Sequence, residues 1–341
     1  MKLKSNYALI GFKQEIRNLL MASYVVTLAL GHTLKCMSIK ADTMIRYLNA
    51  AEELSIPKNI INPSLNFMGK RSHFIEAIIK ESKRWEEMPN RKEPLTEEMI
   101  LYIIKKSKEE DNDNGIYHAM ADWLIMGIQT GCRKSEWSQD KTELNKTKDV
   151  HKNIDGSTTA FTANDFQFKG KNSNHLHVVG KRSRPALVEL TWRFQKNNDN
   201  GQKITFAKSQ SNSKLCFVEA AKRVVIRAKD LKVSNDKPIA IFTESKNDKT
   251  FKYINDGHVT KLLREAAKEI YNIKCTKALS KFTPHSIRVG ACVKIHEEGG
   301  DATFIQTRLR WRSLAFMLYL RNTAKLATMQ SKLIDNASNN K

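Results

Sequence analysis

Apolar and polar side chains alternate with period 2 at one place in this chain. Val188, Leu190, Trp192 and Phe194 interleave with Glu189, Thr191 and Arg193, the pattern of a half-buried strand. Turn chemistry follows in "NNDNG" (197–201), Ile204 and Phe206 begin a return strand, and "ANDFQF" (163–168) supplies a third. Elsewhere the apolar residues recur at helical spacing, as in Met44, Ile45, Leu48 and Ala51, or Phe74, Ile75, Ile78 and Ile79. The stretch "HAMADWLIMGIQT" (118–130) is apolar on nearly every face and therefore predicts a buried helix. From residue 217 onward the chain reads as helical again, through "FVEAAKRVVIRAKDL", "HVTKLLREAAKEI" and the segment after His285. The expected fold class is mainly α: an all-helical first domain, then a mostly helical domain with a small antiparallel sheet.

The break between the two falls at "EEMPNRKEPLTEE" (86–98), which has two prolines, mixed charge and no apolar period. It reads as a linker that ends where Thr96 caps a helix, with Glu97 and Glu98 in the first turn, where the helix dipole favours acids. The expected division is 1–88, 89–323 and a tail, 324–341, in which Leu326, Met329 and Leu333 keep helical spacing. "DKTELNKTKDVHKNIDGS" (140–157) reads as an exposed loop. "KGKNSNHLHVVGKRSRPA" (169–186) reads as an insertion, either contacting phosphates or merely solvated.

A formal charge of +22 over 341 residues attracts polyanions, and nucleic acid is the commonest such partner. A membrane surface is the rival, but there is no apolar run of 18 residues, no secretory apolar region and no lipidation motif. Cys36, Cys132, Cys216, Cys275 and Cys292 are scattered, odd in number and form no C-x-x-C. That pattern argues for an intracellular, reducing compartment and against disulfides and structural zinc.

"TPHSIRVGACVKIH" (283–296) places His285 and Arg288 at i and i+3, on one face of a helix's first turn. "TGCRKSEW" (130–137) places Arg133 just past the buried helix, on a turn made by Gly131. Lys196 sits where the strand enters its hairpin turn, and is preferred over Lys203 and Lys208 for that reason. Trp311 lies in "RLRWRS" and Tyr319 in "AFMLYLRN". Taken singly, each has a duller reading: a helix-end charge, a packed indole, a tyrosine at the rim of a core.

In order, these motifs resemble the catalytic set of the tyrosine recombinases, or phage-type integrases. "TGCRKSEW" resembles the first arginine motif, "FTPHSIRVGAC" the HxxR box, and "RLRWRSLAFMLYLRN" the box ending in the nucleophile. The resemblance covers nearly the whole chain and looks nearest to eukaryotic mobile-element or viral members. It implies a helical core-binding (SAM-like) domain before a DNA breaking-rejoining catalytic domain. It also implies cleavage and rejoining of double-stranded DNA through a 3′-phosphotyrosine, in a homotetramer on paired sites, for integration or another site-specific recombination. By the resemblance, Tyr319 attacks phosphorus and Arg133 and Arg288 clamp the phosphate. His285 either donates to its oxygens or acts as base. Lys196 protonates the leaving 5′-oxygen, Trp311 donates or packs behind the nucleophile, and Glu136 orients from behind.

Surrounding cations would activate the tyrosine, and neither ATP, metal nor any other cofactor is required. No small-molecule substrate is implied, and the compartment is the nucleus in a eukaryote, otherwise the cytoplasm or nucleoid. Trp311 precedes Tyr319 by eight residues where many bacterial members have nine, and Arg310 would take the place under the longer spacing. In the family the tail often docks on a neighbouring subunit. Two rivals remain open: a type IB topoisomerase-like enzyme, acting as a monomer, and a DNA-binding relative without catalysis.

Overall fold

The computed structural model describes residues 13–32, 38–55, 62–66, 68–87, 90–139, 157–172, 175–176, 179–196, 199–211, 214–248, 250–320 and 323–339. The chain divides into two compact units, Met1–Pro89 and Asn90–Lys341. It is mainly helical with a small antiparallel sheet.

In the first unit, helices α1 (Gln14–Ala29), α2 (Ala41–Ser55) and α3 (His73–Arg84) share a core of Met21, Val25, Met44, Leu48, Ile75 and Ile79. Ile75 and Ile79, one turn apart, face that core, whereas Phe74 of the same expected stripe is exposed, because it lies a third of a turn away. The side-chain amides of Gln14 and Asn18 donate to the carbonyls of Asn62, Pro63 and Leu65, satisfying backbone that joins no helix.

The second unit is arranged about α5 (Ile116–Thr130), in which every residue from Ala119 to Ile128 is buried. Such a helix has to be covered on all sides, and α4 (Glu97–Glu109), α6 (Phe217–Asp230) and α9 (His285–Glu297) pack on it. Strands β1 (Phe166–Lys169), β2 (His175–Leu176), β3 (Leu187–Trp192) and β4 (Gln202–Ala207) form one antiparallel sheet in the order β2-β1-β3-β4. Phe166 pairs with Leu190, Leu190 with Ile204 and Val188 with Phe206, so one face is apolar and buried. The sheet strand ends at Trp192, so Phe194 falls outside the alternation and Gln195 turns inward instead. Helix α7 (Asp256–Tyr271) packs on α4 and is followed by the short α8 (Thr276–Leu279). The last helices are α10 (Ala302–Leu309), α11 (Met317–Leu320) and α12 (Ala324–Asn339).

The stretch after residue 217 is not purely helical. Strands β5 (Ile241–Phe242) and β6 (Lys252–Tyr253) pair between α6 and α7, and two-residue strands are too short to show an alternation. The expected linker is also shorter than its composition suggests. Leu95 is buried, and its N–H donates to the carbonyl of Ser286 at 2.8 Å. Gly290 permits that approach, since a Cβ there would stand 2.2 Å from the Leu95 oxygen. Thr96 takes the extended cap conformation before α4, but its hydroxyl meets that of Tyr271 rather than the helix start. Residues 140–156 of the expected exposed loop, 197–198 of the turn and the Leu333 side chain lie outside the described residues. Among the described residues, no helix is long and apolar enough to cross a membrane.

Candidate active site

Helix α5 stops at Gly131, whose left-handed φ of 55° a β-carbon would strain, and a Cβ there would also press on Leu309 at 3.2 Å. The turn brings Arg133 out of the core, where it precedes a single 3-10 turn, Lys134–Glu136. Its N–H donates to Glu136 Oε2 at 2.9 Å and its Nη1 to Oε1 at 3.0 Å. Glu136 is buried, and burial pushes its carboxyl up. Arg310 and Arg133 outweigh that and hold it below the usual carboxylate range. Arg310 grips both oxygens, at 3.2 and 3.0 Å, and Trp192 Nε1 donates to Oε2 at 3.3 Å.

Helix α9 opens at His285, and its first turn points His285 and Arg288 the same way. Arg288 is 5 % exposed, donates from Nη1 to the Gly131 carbonyl at 2.6 Å, and lies 4.0 Å over the Trp311 ring. It has no ion pair among the described residues. Burial, and then the like charge of Arg133, push its pKa down to about 10. Arg288 is thus a buried charge beside a like charge, held by a carbonyl and an indole ring and by no carboxylate among the described residues. Such a place favours an anion.

Tyr319, on α11, is held by Phe316 and Leu320, which pack on Ala291, Cys292, Ile305 and Leu309. Its hydroxyl stands 2.9 Å from His285 Nε2. Burial raises the phenol pKa more than Arg288 lowers it, so the expected activation by surrounding cations does not prevail in the free protein. His285 is shifted the opposite way: burial, Arg288 and Lys92 press its pKa below the ordinary 6.5, keeping the imidazole neutral near pH 7. A neutral imidazole against a protonated phenol is a base beside an acid. Trp311 lies 6.0 Å from the Tyr319 ring, and its buried Nε1 has no hydrogen-bond partner among the described residues.

His285, Arg288, Trp311, Tyr319, Arg133 and Glu136 are thus brought together. Lys196 stands exposed on the hairpin, and among the described residues no hydrogen bond or ion pair joins it to them. Its competitors are engaged, Lys203 with Glu189 at 3.3 Å and Lys208 with Glu219 at 2.5 Å. Arg310, the residue named by the longer spacing, has a side chain 1 % exposed and committed to Glu136. Its role behind the site is absent from the sequence motifs, because it depends on a left-handed φ of 57° at the end of α10. Lys92 also escaped the sequence reading, having been placed in the linker. In the 169–186 segment, Lys169 pairs with Glu189 and Lys181 with Asp230, while Arg182 and Arg184 are exposed. Residues 173–174 and 177–178 lie outside the described residues.

No protein-family model matches the chain, and no curated protein does. Among solved structures, the Tn1549 transposon integrase (residues 82–397) in complex with circular intermediate DNA is 14% identical. It aligns over 95% of this chain and 85% of its own, with a TM-score of 0.43. The same integrase with a Y379F substitution, in complex with transposon right end DNA, is 12% identical over 97% of this chain and 96% of its own (TM-score 0.38). XerA recombinase is 14% identical over 92% of this chain and 91% of its own (TM-score 0.36).

Proposed function

We propose that this protein cleaves and rejoins DNA strands through a covalent 3′-phosphotyrosine on Tyr319, and that it does so in site-specific recombination or integration. The observation that carries the reading is the 2.9 Å contact between His285 and the Tyr319 hydroxyl, beside Arg288, a buried guanidinium without an ion pair among the described residues. A scissile phosphate between Arg133 and Arg288 would supply the missing negative charge, and two planar forks match its non-bridging oxygens. The Tyr319 oxygen attacks phosphorus as its proton passes to His285 Nε2. The bond from phosphorus to the 5′-oxygen breaks, and that oxygen takes a proton from the Lys196 ammonium. Reversal by a different 5′-hydroxyl rejoins the strand. The arginines are worth most where charge builds on the pentacoordinate phosphorus, in a site from which water is largely excluded. Trp311 Nε1, buried and without a partner among the described residues, supplies one further donor.

The excess of lysine and arginine would serve both units in phosphate binding. On α12, Leu326 packs beside Leu320, whereas Met329 and Ile334 are 53% and 58% exposed. We assign that face to a neighbouring protomer in a tetramer on paired sites.

The test is covalent trapping. The native protein and Tyr319→Phe are incubated with a randomised, nicked duplex library in EDTA, and protein–DNA adducts are resolved on a denaturing gel. A protease-sensitive adduct from the native protein alone is expected. An equal adduct from the variant would remove Tyr319 as nucleophile. Tight binding with no adduct would leave a DNA-binding protein without catalysis, and relaxation of supercoiled DNA by a monomer would make it a topoisomerase.

A further inference from the structure

We propose that Arg310 and Arg312 are positioning residues that fasten the Lys196 hairpin to the segment carrying Tyr319. The proposal rests on the strand-cleavage reading, in which proton donor and nucleophile act on one phosphorus. The hairpin tip folds on itself through Gln195, which is 6% exposed. Its N–H donates to Asn200 Oδ1 at 2.7 Å, and its side-chain amide donates to the Asp199 carbonyl and, at 3.1 Å, to Gln202 Oε1. The remaining acceptor, Gln195 Oε1, receives Arg310 Nη1 at 3.0 Å. A second tie lies beside it, where Arg312 forks onto the Asp199 carboxylate, with Nε at 3.0 Å from Oδ2.

Three consecutive residues therefore reach three parts of the site. Arg310 holds Glu136, which braces Arg133, and also Gln195, the neighbour of Lys196. Trp311 lies under Arg288 and beside Tyr319. Arg312 holds the hairpin tip. The left-handed backbone at Arg310, which non-glycine residues rarely adopt, turns its guanidinium into the buried pair. The two ties differ in strength. The inner tie, from Arg310 to the Gln195 amide oxygen, is buried, and its guanidinium is anchored on Glu136, whereas Arg312 and Asp199 are 62% and 45% exposed. An exposed pair shifts an equilibrium only roughly two- to fivefold, so the outer tie can open and close while the inner one holds. Next to it lies a cleft of about 530 Å³, lined by Asp199, Gly201, Gln306, Thr307, Trp311 and Arg312 among others.

Arg310→Lys would act on the inner tie and on Glu136 together, and so does not separate the two. The exposed tie is tested with Arg312→Glu and the exchanged pair Asp199→Arg/Arg312→Asp. Amide hydrogen exchange in residues 193–201 of the DNA-free protein should quicken roughly two- to fivefold in Arg312→Glu and return to the native rate in the exchanged pair. Unchanged exchange in Arg312→Glu would overturn the proposal.

The second measurement is single-turnover adduct formation at saturating protein, on a duplex recovered from the randomised library. One substrate has the ordinary linkage and the other a 5′-bridging phosphorothiolate. A thiolate, with a pKa near that of a cysteine (~8.5), leaves without a proton donor. Arg312→Glu should therefore be slowed on the ordinary linkage and run at the native rate on the phosphorothiolate, with the exchanged pair restored on both. Equal slowing on both would show that the tie does not act through Lys196 and would overturn the proposal. Failure of the strand-cleavage reading shows separately, as a native protein that forms no adduct on either DNA. The exchange rates then decide the tie alone.

Discussion

Two buried carboxylates in the second unit each sit between arginines, and they are balanced differently. Asp122, on α5, takes Arg223 Nε at 2.6 Å and Arg227 Nη2 at 2.7 Å. Arg223 is half in solvent, so water carries the surplus charge and the cluster fastens α6 to α5. Glu136 is surrounded by Arg133 and Arg310, and a third guanidinium, Arg288, is buried alongside without a carboxylate of its own among the described residues. Arg288 donates instead to the Gly131 carbonyl and stacks on Trp311. A buried charge left unpaired is unfavourable, and a protein retains one where a ligand will pair with it.

The comparison breaks most visibly through stability. Arg227→Met should cost about 3–5 kcal/mol in urea unfolding, because Asp122 loses its buried partner. Arg288→Met should instead cost about 1 kcal/mol or less, because removing a buried charge that no carboxylate pairs offsets the lost hydrogen bond to the Gly131 carbonyl. A loss as large as that of Arg227→Met would mean that the two clusters are alike and that no anion is awaited.

The same Arg288→Met protein should form covalent adduct roughly 10²–10³-fold more slowly, the usual consequence of removing one donor from a site of developing charge. Arg227→Met, where it folds, should react at the native rate. Inorganic sulfate should stabilise the native protein by about 1.4 kcal/mol at ten times its Kd, and should do less for Arg288→Met, as followed by thermal unfolding.

The smallest effect is the pH dependence. His285 must be neutral to accept the tyrosine proton, and its pKa is depressed below 6.5 by burial, Arg288 and Lys92. Adduct formation should hold steady as pH falls through 6.5, then decline by about tenfold per pH unit below the depressed value. His285→Gln should lower the plateau and abolish that acid limb. An acid limb that persists in His285→Gln would assign the titration to another group.

Much of the site was legible because its parts are local. His285 and Arg288 share a helical turn, and Arg133 follows a glycine that ends a wholly apolar helix; neither needs tertiary structure to be recognised. The sheet was readable from β3 and β4, whose six residues suffice for an alternation, whereas β5 and β6, at two residues each, showed none. Arg310 could not be read in this way. Its partners, Glu136 and Gln195, are 174 and 115 residues distant in sequence, and one arginine in "RLRWRS" is no different on paper from its neighbours.

The sequence by itself determined the helical fold class, the place of the small sheet, the strong positive charge and the candidate residues His285, Arg288, Arg133, Trp311 and Tyr319. Period and spacing are properties of neighbouring residues, which is why they survive without coordinates. The tertiary structure decided which groups meet and which proton state each holds. It packed the segment at Leu95 onto α9, raised the pKa of Tyr319 while lowering that of His285, and separated Arg310 inside from Lys196 outside. Burial and the field of distant charges do this, and both exist only once the chain has closed on itself.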